Sequence, residues 1–254
     1  MWRVGLWQKL LHSGVTGKCF TVITNMYKGS KSRISVNNEL SEVFPCNIGV
    51  RQGENLSPFL FALFLNDLDM FLSTHNVDSL ATISNAIEQE LNVMIKILLM
   101  LYADDTVLFS ESKEGLQYQL DCFLQYCKDW KLEVNIDKTK IMIFTKGSIP
   151  QNHSFYYDGK QLEIVKKFKY LGIFLSQSAS FMKTKKYVSN RALKAMYAVL
   201  KKGRCLNLSI TDQLHLFDKI VVPVLLYGCE IWGFGNLDII ERIHLKFCKM
   251  LLHL

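Results

Sequence analysis

The feature that most constrains the fold is a pair of carboxylates between two apolar segments. Residues 97–103 form an apolar run, Asp104 and Asp105 follow, and residues 106–109 form a second apolar segment. This pattern predicts two antiparallel strands of a buried sheet, with the aspartates in the turn between them. Adjacent carboxylates at such a tip repel each other, and divalent cations relieve that repulsion. They are candidate metal ligands, although Asp-Asp is also an ordinary turn sequence.

Apolar residues at three- and four-residue steps predict a series of helices. One helix should begin at Ser57 and Pro58, with Ser57 as its N-cap, and run to about Leu72. It is apolar on almost every side, so we expect it to be buried. Ser112 is the expected cap of another helix. The remaining predicted helices lie near residues 6–11, 20–27, 181–202, 210–227 and 236–252.

Alternating apolar residues and turn pairs predict several strands. Asn37-Asn38 is expected to lie between the strands of a β-hairpin at residues 33–36 and 43–48, and Asp158-Gly159 to form the turn between strands at 155–157 and 161–165. Residues 73–95 are expected to form a loop with one short helix. Further strands are predicted at residues 132–136, 141–144 and 168–175. The predicted fold class is therefore α+β, with the mixed part separated from an all-helical part near residues 176–181.

Charge is distributed unevenly along the chain, whose net charge is +7. Residues 1–38 carry six Lys/Arg and no acid, and residues 151–205 carry twelve basic residues and two acids. Residues 39–150 carry eight basic and sixteen acidic residues. Basic flanks around an acidic middle are typical of a protein that binds a polyanion beside metal ions. Lysines on solvated helix faces would give the same counts.

Cysteine usage and hydropathy limit the environment of the chain. The seven cysteines are scattered and odd in number, and no signal-peptide pattern is visible. We therefore expect an intracellular protein, nuclear or cytoplasmic and not secreted. No run of about 18 apolar residues is apparent, so we expect no membrane partner.

Five short segments occur in a characteristic order. They are GVRQG at 49–53 with LSP at 56–58, YADD at 102–105, WKLEVN at 130–135 with KTK at 138–140, FKYLG at 168–172, and YGCEIW at 227–232. In order and approximate spacing they resemble the reverse transcriptases of mobile elements without long terminal repeats (non-LTR, or LINE-type, retrotransposons). Viral RNA-copying polymerases are an alternative, but they usually carry Gly-Asp-Asp and lack the last two segments.

The resemblance implies a right-hand polymerase. Residues 1–48 would be a remnant of fingers and palm, residues 49–178 the palm with the YADD hairpin, and residues 181–254 a helical thumb or connector. The implied activity is RNA-directed DNA polymerisation, a two-metal nucleotidyl transfer onto a primer 3′-hydroxyl. The implied cofactors are two Mg²⁺ ions, and the partners are an RNA template, a DNA primer and deoxynucleoside triphosphates. Oligomeric state is left open.

The resemblance also assigns roles to individual residues. Asp104 and Asp105 would be the catalytic metal ligands, and Lys138 would protonate pyrophosphate unless it is a plain turn lysine. The nucleotide or template would be contacted by Gly49, Arg51, Gln52, Gly53, Tyr102 and Ala103, with a structural role as the alternative for Arg51. The primer grip, or an ordinary piece of sheet, would be formed by Tyr170, Leu171 and Gly172. The nucleic-acid backbone would be contacted by Lys183, Lys185, Lys186, Arg191, Lys194, Lys201, Lys202 and Arg204.

One departure from the family concerns the start of the chain. The family carries a further catalytic aspartate in an A-F-D-x-V-W-R-like segment, and Trp2-Arg3 match only its tail. We therefore expect an N-terminally truncated chain without measurable polymerase activity by itself, since charge stabilisation at the metals is the main catalytic device. The alternative to a polymerase domain is therefore a catalytically dead, truncated remnant that folds and at most binds RNA.

Overall fold

The structure, a computed structural model, describes residues 1–85, 92–145 and 153–252; at 81–85 and 92–96 it describes only the backbone. Helices and strands alternate in the first part and helices dominate the last, which confirms the α+β class. The helices are α1 (Arg3–His12), α2 (Gly17–Tyr27), α3 (Leu56–Leu65), α4 (Leu68–Thr74), α5 (Lys113–Asp129), α6 (Met182–Cys205), α7 (Ile210–Leu216), α8 (Val222–Leu225), α9 (Cys229–Trp232) and α10 (Asp238–Leu251), with a π-helical turn at Phe217–Val221.

The strands are short, and within the described ranges each pairs with a single neighbour. All pairs are antiparallel except β9 with β12. The pairs are β1 (Lys31–Ser32) with β4 (Phe44–Pro45), β2 (Ser35–Val36) with β3 (Glu39–Leu40), β5 (Leu80–Asn85) with β6 (Asn92–Ile97), β7 (Leu99–Tyr102) with β8 (Asp105–Leu108), β9 (Lys140–Ile141) with β12 (Glu163–Ile164), β10 (Tyr156–Tyr157) with β11 (Lys160–Gln161), and β13 (Lys167–Tyr170) with β14 (Ile173–Ser176).

The chain divides into two units, each with its own hydrophobic core. Unit 1 comprises Met1–Thr139 and His153–Leu162, and unit 2 comprises Lys140–Asn152 and Glu163–Leu254. In unit 2 the long helix α6 packs against α8, α10 and the π-helical turn. Its core includes Met196, Phe217, Trp232 and Phe247, each at most 2% exposed.

The core of unit 1 is built from α1 to α5. Leu6, Leu10, Leu60, Phe64 and Leu72 are fully buried in it, at the helical steps that the sequence predicts. Predicted helices α1, α2 and α5 are confirmed, and the cap of α5 as well, because the Gly115 amide donates to Ser112 Oγ.

The predicted helix from Ser57 to Leu72 is wrong in four respects. It begins at Leu56, it breaks at Asn66-Asp67 between α3 and α4, and Ser57 is not its cap. Ser57 Oγ instead donates to the Arg51 carbonyl oxygen, at 2.5 Å. At the break, Asp67 Oδ1 accepts hydrogen bonds from the ammonium of Lys9 and from Tyr126 Oη, so its side chain is bonded to α1 and α5. The helix pair is also buried on one face only, because Phe59 and Met70 are 61% and 67% exposed.

The stretch Leu56–Thr74 bears on the membrane expectation. Its 19 residues reach a mean hydropathy of 1.3, so by length and composition it could cross a membrane, contrary to the prediction of no such segment. A buried core helix passes the same test. Here Leu60, Phe64, Leu68 and Leu72 lie in the core of unit 1, so the stretch is weak grounds for a membrane span.

The turn predictions were more accurate than the strand predictions. The hairpin turns at Asn37-Asn38 and Asp158-Gly159 are confirmed, with all four φ values positive. The strand predicted at 43–48 is not the partner across the first turn, because β2 pairs with β3 and β4 pairs with β1. Residues 73–95 do not match the predicted loop and short helix, since β5 and β6 form a hairpin there, with 86–91 outside the described residues.

Two further strand predictions are wrong. Residues 132–136 are irregular because local bonds occupy the backbone: the Leu132 amide donates to Cys127, and the Thr139 amide donates to Asn135. Residues 168–175 form two strands, β13 and β14, because Leu171 and Gly172 make a turn with φ of 45° and 85°. The strand predicted at 141–144 is reduced to β9.

Candidate active site and nucleic-acid interface

The carboxylate pair lies on the β7–β8 hairpin of unit 1. Tyr102 pairs directly with Asp105, so the two turn residues are Ala103 and Asp104. The predicted turn at Asp104-Asp105 is therefore displaced by one residue. Ala103 has a φ of 53°, a left-handed conformation that is uncommon for residues other than glycine. Backbone strain of this kind is concentrated at functional sites.

The hairpin is exposed at its tip and half-buried at its base, which corrects the prediction of a buried sheet. Leu101 and Tyr102 are 38% and 62% exposed, and both aspartates are exposed. In the described ranges no third strand pairs with β7 or β8. Leu99 and Leu108, at the far end from the tip, are the residues that pack against the core of unit 1.

Two side chains that the sequence reasoning missed secure the base of this hairpin. Gln119 on α5 is fully buried and donates its side-chain amide to the Leu98 carbonyl oxygen, at 3.1 Å. Asp78 accepts hydrogen bonds from the hydroxyls of Ser110 and Ser112, and these bonds lower the pKa of its carboxyl. For Gln119, the sequence signal was the presence of a glutamine on the apolar face of a predicted amphipathic helix.

The carboxylates fit a hard divalent cation by their chemistry. Neither Asp104 nor Asp105 forms an ion pair or side-chain hydrogen bond with another described residue, so their oxygens are free to coordinate. Among described residues no group of three or more His, Cys, Asp or Glu side chains could hold a metal. Mg²⁺ is commonly held by one or two carboxylates together with substrate phosphates and water, so the pair is compatible with it.

The GVRQG segment forms a loop that belongs to the same unit. Gly49 and Gly53 have φ of 78° and 89°, and open space surrounds both, so backbone conformation is what requires glycine. The guanidinium of Arg51 donates to the Met26 carbonyl oxygen (2.6 Å) and pairs with Glu54 (2.9 Å). These contacts favour a structural role for Arg51 over contact with a nucleotide or template. Gln52 is exposed.

Lys138 lies in a tight turn of unit 1. Its amide donates to Oδ1 of Asn135 at 3.1 Å, and its side chain is exposed. This geometry is that of a turn lysine, and a role in proton transfer stays a prediction.

The FKYLG and YGCEIW segments meet in unit 2. Tyr227 Oη donates to the Leu171 carbonyl oxygen at 2.9 Å, and a Cβ on Gly172 would lie 3.0 Å from the Tyr227 ring. Trp232 Nε1 donates to the Tyr227 carbonyl oxygen at 2.8 Å. The YGCEIW segment therefore holds the β13–β14 turn in place. The sequence had not predicted this role.

The basic residues of α6 do not all face solvent. Lys185 is 6% exposed, and its ammonium donates to the carbonyl oxygens of Phe234 (2.6 Å) and Asn236 (2.9 Å). It is thus a structural residue, and its prediction as a backbone contact is wrong. The other seven predicted residues are exposed: Lys183, Lys186, Arg191, Lys194, Lys201, Lys202 and Arg204.

An α+β chain with an exposed Asp-Asp hairpin tip and a helix whose exposed cations form no ion pair with other described residues has the features of a polynucleotide polymerase. Residues 2–175 match the family described as reverse transcriptase (RNA-dependent DNA polymerase). The chain belongs to this family, which is a family of enzymes.

Several proteins of mobile elements are similar to the chain. The RNA-directed DNA polymerase from mobile element jockey of Drosophila melanogaster is 24% identical over 247 residues, 91% of this chain and 24% of that protein. Its counterpart in Drosophila funebris is 23% identical over 261 residues, 99% of this chain and 26% of that protein. The Pol polyprotein from type-2 retrotransposable element R2DM of Drosophila melanogaster is 32% identical over 160 residues, 59% of this chain and 14% of that protein. The chain spans about a quarter of the first two relatives.

Proposed function

We propose that this chain supplies polymerase machinery of an RNA-directed DNA polymerase encoded by a mobile element, and acts inside the cell. The reaction would extend a primer 3′-hydroxyl with deoxynucleotides copied from RNA. The observation that carries this proposal is the exposed, strained β7–β8 tip, where Asp104 and Asp105 have oxygens free to coordinate. Residues 1–48, 49–178 and 181–254 would correspond to a fingers-and-palm remnant, the palm, and a thumb or connector.

Each group of site residues would have a separate role in the reaction. Asp104 and Asp105 would hold two Mg²⁺ ions, which when bound supply charge neutralisation at the triphosphate and activation of the 3′-hydroxyl. Tyr102 and Ala103 would form the surface under the primer end. Gln52, carried on the 49–53 loop and exposed, would contact the incoming nucleotide or the template. The turn at Leu171-Gly172 would hold the primer strand.

A luminescence titration tests the metal site without relying on activity. Tb³⁺ emission is sensitised by a nearby tyrosine, and Tyr102 pairs with Asp105. We expect a saturable signal that Mg²⁺ suppresses, and at least about tenfold weaker binding in Asp104→Asn and Asp105→Asn, equivalent to about 1.4 kcal/mol. Asp158→Asn is the control, since Asp158 also lies at an exposed hairpin tip beside a tyrosine but its carboxylate is paired with Lys128, at 3.0 Å. Equal titrations for all four proteins would exclude a metal site at this hairpin.

A primer-extension assay on an RNA template tests the reaction itself. Extension that depends on Mg²⁺ and disappears in Asp104→Ala would support the proposed activity and overturn the expectation of an inactive chain. If the wild type binds metal and nucleic acid without extending a primer, the chain is a binding remnant rather than a working polymerase.

A further inference from the structure

The β7–β8 hairpin that carries the carboxylate pair depends on its base for its position. No third strand pairs with β7 or β8 in the part of the chain that the structure describes. Tyr102, at the tip, lies four residues beyond Leu98, which is about 13 Å at about 3.3 Å per residue. Over that length a rotation of about 5° at the base moves the tip by about 1 Å, more than the roughly 0.5 Å that a functional site tolerates. Contacts at the base therefore decide how accurately Asp104 and Asp105 are placed.

The strand that enters the hairpin is fixed by Gln119 of α5. The Leu98 carbonyl oxygen accepts two hydrogen bonds, one from the Phe109 amide at 3.0 Å and one from the Gln119 side-chain amide at 3.1 Å. The first closes the hairpin on itself, and the second ties it to α5. Gln119 is fully buried, and its Oε1 has no hydrogen-bond partner among the described residues. A buried acceptor without a partner lowers stability, so what Gln119 contributes is a directed bond to the hairpin.

The strand that leaves the hairpin is fixed by Asp78. Its Oδ2 accepts hydrogen bonds from Ser110 Oγ at 2.9 Å and from Ser112 Oγ at 3.0 Å, and its Oδ1 accepts from the Ser79 amide at 3.0 Å. Ser110 follows the last residue of β8 by two positions, and Ser112 caps α5. Asp78 therefore joins the end of the hairpin to the beginning of α5.

The space for Asp78 depends on Gly115, in the first turn of α5. A Cβ at this position would lie 2.5 Å from Asp78 Oδ2 and 2.6 Å from both Asp78 Cβ and Ser112 Oγ, closer than van der Waals contact allows. Gly115 is not among the glycines with positive φ, so its backbone does not require glycine. Alanine is also the better helix former, so the glycine serves the packing against Asp78. Gly115 and Gln119 are four residues apart and lie on the same face of α5.

We infer that Asp78, Gly115 and Gln119 are positioning residues for the proposed metal site. They attach both ends of the β7–β8 hairpin to α5 and so hold the carboxylates of Asp104 and Asp105 at the spacing that a divalent cation needs. The inference rests on the proposed function and adds to it three residues outside the five family segments. Residues that orient metal ligands directly change metal affinity by about tenfold to a hundredfold. Action through the backbone of the hairpin should give a smaller effect.

Tb³⁺ luminescence titrations on folded variants test this inference. Gln119→Met removes the side-chain amide at nearly constant size and should weaken Tb³⁺ binding about threefold to tenfold. Gly115→Ala should do the same although alanine strengthens a helix, because its Cβ displaces Asp78. Gln125→Met is the matched control, with the same substitution at an exposed position of α5, and should leave the affinity unchanged.

Hydrogen exchange gives a second readout, which a general loss of stability would not reproduce. In Gln119→Met and Gly115→Ala, the amides of residues 99–108 should exchange about fivefold faster or more, whereas those of α1 should keep the rates of the wild type. Asp78→Ala should act in the same direction. If circular dichroism shows that Asp78→Ala does not fold, Ser110→Ala, which removes one of the two hydroxyl donors, takes its place with a smaller effect.

The outcomes separate this inference from the proposed function. If the wild type binds no Tb³⁺, or binds it no better than Asp104→Asn and Asp105→Asn, both fail. If it binds through these aspartates and the positioning variants titrate like Gln125→Met, the inference is refuted while the proposed function stands. Weaker binding together with faster exchange throughout unit 1 would also refute the inference, because the three residues would then serve general stability.

Discussion

At the residue scale, Lys9 is a buried cation in unit 1 whose charge depends on several partners. Its side chain is 5% exposed, and its ammonium donates to the Phe64 carbonyl oxygen, to Asp67 Oδ1 and to Tyr126 Oη. It also lies 3.8 Å from the centre of the Trp130 ring. Burial lowers the pKa of Lys9, and the hydrogen bond and charge of Asp67 oppose that shift. One cation thus joins α1 to the α3–α4 break and to α5.

Replacing Lys9 should weaken unit 1. Lys9→Met keeps the length of the side chain but removes the ammonium that donates to the Phe64 carbonyl, to Tyr126 Oη and to Asp67. Asp67 loses its ion pair and keeps the hydrogen bond from Tyr126 Oη, at 2.6 Å. Because Asp67 is partly solvated, we expect a loss of about 1–3 kcal/mol, less than for a fully buried pair. Urea unfolding gives the value. Lys18→Met, at an exposed position on α2, is the control, and its free energy of unfolding should stay within about 0.5 kcal/mol of the wild type. If Lys9→Met is as stable as Lys18→Met, Lys9 does not stabilise unit 1.

Buried tyrosines should make the folded chain sensitive to alkali. Burial raises the pKa of Tyr157 above its ordinary value near 10, and the Cys127 thiol adds to the shift. Above pH 10 the unfolded chain loses this proton while the folded chain keeps it, so the free energy of unfolding falls as pH rises. We expect Tyr157→Phe to flatten this fall by up to about 1.4 kcal/mol per pH unit between pH 10 and 11. Tyr156→Phe, at the exposed neighbouring position, should leave the slope unchanged.

At the element scale, the hairpin tips differ in what fixes them. The turn between β13 and β14 is held from outside by Tyr227, whereas open space surrounds Gly235, another glycine of unit 2 with positive φ. These two positions separate the backbone requirement for glycine from the steric one.

Alanine at the two glycines should have unequal effects. Gly235→Ala, with φ of 72°, should cost about 1 kcal/mol for the left-handed backbone alone. Gly172→Ala, with φ of 85°, has the same backbone strain and also places a Cβ against the Tyr227 ring. We therefore expect its loss in free energy of unfolding to be about 1 kcal/mol larger. Urea midpoints measured on both variants give the difference. Equal losses would mean that the ring moves aside freely.

Sequence patterns predicted what local chemistry determines. The turns at Asn37-Asn38 and Asp158-Gly159 and the Ser112 cap depend on neighbouring residues alone, and all three are confirmed. The single helix over 57–72 and the strand over 168–175 are wrong, because their breaks depend on Asp67 accepting from Lys9 and on Tyr227 holding Leu171. Partners 58 and 56 residues away in sequence leave no periodic signal.

The same distinction applies to the candidate site. The position of the carboxylate hairpin follows from its apolar flanks, which are local. Its exposure, the burial of Lys185 and the contact of Tyr187 with Lys169 depend on which elements come together, so residue type and spacing could not indicate them.

At the scale of the whole molecule, the two units have separate cores. Phe64 lies in the core of unit 1 and Phe247 in that of unit 2, and each is fully buried. No residue belongs to both clusters among those described. Cooperative unfolding normally follows a shared core, so each unit is expected to open as its own cooperative element.

Matched core truncations should act on one unit each. Phe64→Ala and Phe247→Ala each remove a fully buried ring, which typically costs about 3–5 kcal/mol. Hydrogen exchange followed by mass spectrometry should show faster exchange in α1 and α5 for the first variant, and in α6 and α10 for the second. Faster exchange throughout the chain in either variant would show that the units unfold together.

The one-residue offset of the β7–β8 turn has a consequence for any length change at that tip. With Ala103-Asp104 as the bend, Asp105 is already part of the ladder opposite Tyr102, while Asp104 lies outside it. Successive side chains of a strand alternate between its two faces. Inserting or deleting a single amino acid between Tyr102 and Asp105 would therefore transfer the whole of one strand to the opposite face, and natural variation at this bend should be confined to replacement.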